Sequence, residues 1–217
     1  MTRGLTLAVD GSTYAGTVAV IRDDVVIASA QLQSSGTPGK AGRDEGFLPM
    51  VATALKQAGV KPSELDRVVC GAGPGSFTSL RVAASIAKGI AVGAGCPMFA
   101  ASSLLLMAAG KKDGRYMATL PAMRGEVHTA VIEVINNRVS ASGPDIIISE
   151  NEIGDAAVRA GAQQISGIPE AKVFAMILDD VIESGPCDID SWEPSYGRLA
   201  EAQVKWEAAH GRPLSAR

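Results

Sequence analysis

Gly71-Ala-Gly-Pro-Gly-Ser-Phe-Thr-Ser-Leu-Arg-Val-Ala83 follows the apolar run Arg67-Val-Val-Cys70 and precedes a long apolar segment. The run reads as a buried strand and the segment as a helix, which places the glycines at a strand-to-helix turn. The first N–H groups of a helix lack internal partners, so such a turn gathers donors. Gly71, Gly73 and Gly75 permit positive φ and close approach of another backbone or a ligand. Pro74 stiffens the turn, and Ser76 or Thr78 is placed to cap the helix. Two readings follow, a phosphate cradle and a tight structural turn. No Lys follows the last Gly as a P-loop requires. The Gly-x-Gly-x-Gly spacing is not the dinucleotide fingerprint, and no acidic residue stands about 20 residues on. The residues alone favour the structural turn.

The 217-residue chain fits one large domain or two small lobes and is long enough to bury a core. It is 47% hydrophobic but only 4% aromatic, with 24 Gly, so the core must be built from Ala, Val, Ile and Leu. That composition suits an α/β protein with close helix–sheet packing. The net charge of −3 argues against an RNA-binding domain, which normally carries a basic excess. Cys70, Cys96 and Cys187 are isolated, an odd set without Cys-x-x-Cys spacing, which points to reduced thiols in the cytoplasm. The N-terminus has no signal-peptide layout. Gly89 to Gly110 carries no charge, but Gly93, Gly95, Pro97, Ser102 and Ser103 interrupt it, so a helix, turn, strand and helix explain it better than a membrane span.

Leu5–Asp10, Thr17–Arg22 and Val25–Gln33 read as successive strands joined by short polar turns. A Gly-, Ser- and Lys-rich loop follows at Ser34–Gly46, a candidate mobile segment, and then an amphipathic helix over Phe47–Ala58. Thr78–Ala94 reads as a second helix in which Arg81, Ser85 and Lys88 form one narrow polar stripe. Its apolar surface exceeds the stripe of about 100° that a surface helix needs. It must therefore be sandwiched inside the domain or face a partner subunit. A short strand (Met98–Ala101) and a helix (Ser102–Lys111) close the first half. Strands are expected at Tyr116–Leu120, Gly125–Ile135 and Arg138–Ser149, with a hairpin-like turn at Asn136-Asn137, and helices at Glu150–Ala160 and Ala171–Glu183. Leu199–His210 reads as a final amphipathic tail. Three strands then helices, occurring twice with the second copy shorter, match the duplicated actin/Hsp70/sugar-kinase core. The expected layout is a first lobe over 1–111, a reduced second lobe over 112–198 and a tail over 199–217.

Gly73-Pro-Gly-Ser-Phe-Thr-Ser-Leu-Arg-Val82 closely resembles the Gly-Pro-Gly-Ser-Phe-Thr-Gly-Leu-Arg signature of the bacterial TsaB (YeaZ-type) family. Those proteins are the non-catalytic partners of TsaD in making N6-threonylcarbamoyladenosine in tRNA. Leu7-Ala-Val-Asp10-Gly-Ser-Thr13 resembles the family's opening strand and its Asp-Thr-Ser-Thr loop. Met123-Arg-Gly-Glu-Val127 and Glu193-Pro-Ser-Tyr-Gly-Arg198 resemble two later landmarks, in family order. The resemblance implies an α/β fold of mixed sheets flanked by helices. It implies a scaffold subunit that activates a TsaD-type enzyme for modification of adenosine 37, with a TsaE-type ATPase as a further candidate partner. It also implies a homodimer when alone, contact with tRNA only through the complex, and no membrane. It favours the subunit-interface reading of the two helices, with Leu48, Val51, Leu55, Leu80, Ala83, Ala84, Ala87 and Ile90 as contacts. It makes Asp10, Ser12, Thr13, Gly73 and Gly75 a vestigial nucleotide-proximal set, implies no cofactor of the chain's own, and leaves open a nucleotide at the partner interface.

Departures are Ser79 and Ala83 where the family usually has Gly, Pro121 in place of an Asp, and Arg43-Asp-Glu45 where a His is common. They bear on nucleotide contacts more than on the fold.

Asp10 either faces a phosphate, as in ATP-using relatives, or caps its own loop; the second reading is favoured. A working kinase also needs a second phosphate loop and an adenosine pocket, and neither is recognisable between Tyr116 and Ser195. His128 and His210 are far apart, with no His-Glu-x-x-His, so metal chemistry is not expected. Ser76, Ser102 and Ser103 have no Gly-x-Ser-x-Gly elbow and no recognisable base. Arg124 and Glu126 either pair across a crevice or decorate a strand, the latter being favoured. The rival function is an ATP-dependent phosphotransferase or ATPase of the same superfold, and a peptidase comes third.

Overall fold

The computed structural model describes residues 4–32, 46–197 and 209–211. The loop expected at Ser34–Gly46 (all but Gly46), Arg43–Glu45, Arg198 and most of the expected tail lie outside them. Leu5–Asp10 (β1), Thr17–Arg22 (β2) and Val25–Gln31 (β3) form an antiparallel meander. Phe47–Ala58 (α1) leads to Arg67–Gly71 (β4), which pairs parallel to β1, and Phe77–Ala94 (α2) leads to Met98–Ala101 (β5), parallel to β4. The first sheet therefore runs β3-β2-β1-β4-β5.

After Leu105–Ala108 (α3) the plan repeats. Gly114–Pro121 (β6), Glu126–Ile135 (β7) and Arg138–Ala141 (β8) form a second antiparallel meander. Ile146–Ser149 (β9) pairs with β7 beyond β8. Ile153–Ala160 (α4) then leads to Gln163–Ser166 (β10), parallel to β6 as β4 is to β1, and Phe174–Glu183 (α5) follows. Among the described residues no strand follows α5 in the second sheet, and α4 spans 8 residues where α1 spans 12. This duplicated core with a reduced second copy is an actin/Hsp70/sugar-kinase-like fold.

Alternation along the strands sorts the core into two faces. Leu7, Val9, Val18 and Val20 point to α1 and α2, while Ala8, Ala19, Ile21 and Val69 point the other way. This second face shares one apolar cluster with Ala118, Leu120, Ile132 and Val134 of the second sheet, and α3 and α5 fill the space between. Full burial of each Val, Leu or Ile here contributes about 1.5–3 kcal/mol, so the shared cluster ties the sheets together. No helix among the described residues is long and apolar enough to cross a membrane.

Four expectations differ from the structure. β3 stops at Gln31. The expected helix at Ser102–Lys111 shrinks to α3, because Ser102 and Ser103 are drawn into hydrogen bonds with Gly73 and Asp10. The expected strand over Arg138–Ser149 breaks into β8 and β9 at Ser142-Gly-Pro-Asp145, where Pro144 has no N–H for the ladder. β10, Gln-Gln-Ile-Ser, was not expected at all; it is a short edge strand without alternation.

Candidate functional site

β1 delivers Asp10 to a position only 2% exposed. Its Oδ1 accepts hydrogen bonds from the Ser12 amide at 2.9 Å and the Ser12 hydroxyl at 2.5 Å, and its Oδ2 accepts one from the Ser103 hydroxyl at 2.6 Å. Burial raises the pKa of this carboxyl, with the Ser103 and Ser12 hydrogen bonds pulling the other way. Gly71 lies against the same carboxylate, and a Cβ there would fall inside it.

The glycine turn is stitched to three other segments. Ala72 N–H donates to Ala101 O at 2.8 Å and Gly73 N–H to Ser103 Oγ at 3.2 Å. Ser76 N–H donates to Ser12 O, and Ser195 N–H donates to Ala72 O at 2.7 Å. Gly73 adopts φ +85°, and Cβ atoms at Gly73 and Gly75 would land on the carbonyls of Ser195 and Ser12. Three of the turn's amide donors, those of Ala72, Gly73 and Ser76, are thus engaged within the chain. Asp10 caps its own loop in the manner of an Asx turn. Ser76 stands at the start of α2, but its hydroxyl donates to Ser79 Oγ at 3.1 Å and caps no backbone amide.

Asp10, Ser12, Gly73 and Gly75 are therefore gathered in one place. Thr13 stands apart, its hydroxyl accepting the Ala15 amide at 3.3 Å. Ser102, Ser103 and Ser195 complete the cluster and were not assigned to it from the sequence. The serine pair directly after a strand was the available signal. His128 is buried on β7 under Gly197, whose missing Cβ makes room for the imidazole. Arg124 occupies the β6–β7 turn at φ +67°, and Glu126 opens β7. Among the described residues no three His, Cys, Asp or Glu side chains are grouped to hold a metal ion.

The expected interface residues require correction. Leu80, Ala83 and Ala87 are fully buried, and Ala84, Val51 and Leu55 nearly so. They pack into the chain's own core. Small residues on that side let α2 approach its own sheet. Only Leu48, at 55% exposure, and half-buried Ile90 remain available. The outward face of α2 is instead exposed Ser85, Gly89, Val92 and Gly93, spaced three and four apart, with Val82 and Ile86 half-buried beside them against the core. Cβ atoms added at Gly89 or Gly93 would meet nothing within 4 Å.

The flank of α2 beside that face is covered by the chain's own segment Cys187–Gly197. Tyr196 stacks on Phe77 with centroids 4.4 Å apart, and Arg81 Nε donates to the Tyr196 hydroxyl at 3.2 Å. Lys88 lies 5.8 Å from the centroid of the Trp192 ring. Two of the three residues of the narrow polar stripe thus hold this strap.

Residues 37–181 match the family model of TsaD, tRNA N6-adenosine threonylcarbamoyltransferase. The chain is 34% identical over 165 residues to the Escherichia coli tRNA threonylcarbamoyladenosine biosynthesis protein TsaB, covering 74% of this chain and 67% of that protein. It is 26% identical to Bacillus subtilis TsaB over 92% of this chain and 96% of the relative. YeaZ from Pseudomonas aeruginosa superposes with a TM-score of 0.72 at 22% identity, covering 89% of this chain and 99% of that one, a likeness of fold. With 34% identity to Escherichia coli TsaB across two thirds of that protein and the signature turn in place, the chain belongs to the TsaB (YeaZ-type) family.

Proposed function

We propose that this chain is a non-catalytic subunit that pairs with a TsaD-type enzyme and supports threonylcarbamoylation of adenosine 37 in tRNA. The carrying observation is the outward face of α2. Gly89 and Gly93 sit inside a helix with open space above them. Gly costs about 1 kcal/mol relative to Ala in a helix interior. Among the described residues nothing lies within 4 Å of a Cβ at either position to require it. Close approach of another helix does. Leu48 on α1 and Ile86, Ile90 and Val92 on α2 supply apolar area around the glycines. A standard interface buries about 1,600 Å² in total, within reach of a helix pair on each side. The same face serves a homodimer when the partner is absent.

Engagement of Asp10, Ser12 and the glycine turn with one another supports a scaffold role over phosphoryl transfer. The net charge of −3 supports contact with tRNA through the complex only. The test is co-purification with a TsaD-type protein, followed by a tRNA modification assay with and without this chain. The reading expects a stable complex, modification that depends on both proteins, and no ATP turnover by this chain alone. ATP turnover by the isolated chain that Asp10→Ala abolishes would overturn it.

A further inference from the structure

On the face of the first sheet opposite α1 and α2, a cleft of about 790 Å³ opens between α5 and two hairpin turns, Asp23-Asp24 and Asn136-Asn137. That volume lies in the range of about 300–1,000 Å³ typical of binding pockets. Its lining includes exposed apolar side chains, Val26 at 36% exposure and Met176 at 65%. Unbranched Met is adaptable and recurs on surfaces that receive varied apolar side chains.

The rim is acidic. Five carboxylates line the cleft against Arg138 and Lys172, a surplus of three negative charges that equals the formal net charge of the whole chain. The cations add little positive field there. Arg138 bridges Asp180 at 2.6 Å and Glu183 at 2.7 Å, and Lys172 pairs with Glu170. The surplus lies toward the β2–β3 turn, where Asp23 adopts φ +60° and accepts the Gly4 amide.

We propose that this cleft docks a basic, amphipathic segment of a protein partner. One large apolar side chain rests on Met176 and Val26, and Lys or Arg residues face Asp23 and Asp24. Clefts lined by one sign of charge concentrate the opposite sign and steer its approach. The cleft and the α1–α2 face are on different sides of the sheet, so both can be occupied at once. The assignment is independent of what α1 and α2 bind.

The probe is a fluorescein-labelled 12-residue peptide with Leu at i, i+3, i+4 and i+7 and Lys elsewhere, titrated into the full chain by anisotropy at about 0.1 M salt. Saturable one-to-one binding is expected, weakened about five- to tenfold by Met176→Gln and by Asp24→Lys. Both residues lie on the surface, so the melting temperature should hold and report that the fold is intact. Asp155→Lys on α4 makes the same charge change elsewhere and should leave binding within about twofold. Absence of saturable binding overturns the proposal, as does equal weakening by Asp155→Lys. Displacement of the peptide by spermidine with no dependence on Met176 would assign the cleft to a small polycation and overturn the peptide reading.

Discussion

Asp10 is held by three donors in a site with almost no solvent, and burial dominates its titration. A carboxyl whose pKa is raised by folding binds its proton more tightly in the native state than in the unfolded chain. Its stabilising contribution is therefore complete below the ordinary carboxylate range and declines as pH rises through the raised native value. Asp10→Asn keeps an acceptor for the Ser12 amide and has no charge to bury. Wild-type stability should fall relative to Asp10→Asn as pH increases above about 4, read from urea unfolding across a pH series. Identical pH slopes in the two proteins would contradict this. Ala87 gives a second prediction at this scale. A carboxylate at that fully buried position has no partner, and an unpaired buried charge costs several kcal/mol against a total stability of about 5–15 kcal/mol. Ala87→Glu should therefore unfold or lose most of its thermal transition, where a surface position would tolerate the change.

At the scale of elements, α2 explains what the sequence could and could not reveal. Its existence and length were legible from a largely apolar run after a glycine turn. Which side faced inward was not. A helix rich in Ala and Gly has small residues on every side, so its periodicity cannot separate the face packed on its own sheet from the face left open. Burial of Leu80, Ala83 and Ala87 and openness at Gly89 and Gly93 resolve it. β1, β2 and α1 were legible to the residue because their apolar positions alternate or recur cleanly. β10 was not, because an edge strand of Gln, Gln, Ile and Ser carries no period, and α3 was cut short by a tertiary hydrogen bond from Ser103 to Asp10. The Asp10 cluster was half legible, since Ser103 and Ser195 join it only through the fold. Gly89→Ala and Gly93→Ala should each stabilise the isolated chain by about 0.5–1 kcal/mol, because Ala has the higher helix propensity and nothing occupies the space. Urea unfolding checks it, and a loss of stability at either position would mean that the helix is packed there.

At the scale of the whole molecule, the two copies of the fold have diverged in use. The glycine turn, the β1 loop, the Ala101–Ser103 segment and the 187–197 strap close on one another, which rigidifies the region between the sheets. Among the described residues, the outward side of α1 and α2 leaves Leu48, Val92 and both helix glycines uncovered. Binding function in this account therefore lies in an exposed helix face supported by a rigid interior. The most direct test is the affinity of Gly89→Glu for a TsaD-type subunit, measured by sedimentation velocity beside a melting curve. Position 89 is open to solvent in the isolated chain, so the melting temperature should stay within a few degrees of wild type. A carboxylate there should cost the complex at least tenfold in affinity, about 1.4 kcal/mol. A variant that melts normally and binds the partner with undiminished affinity would contradict the assignment of this face.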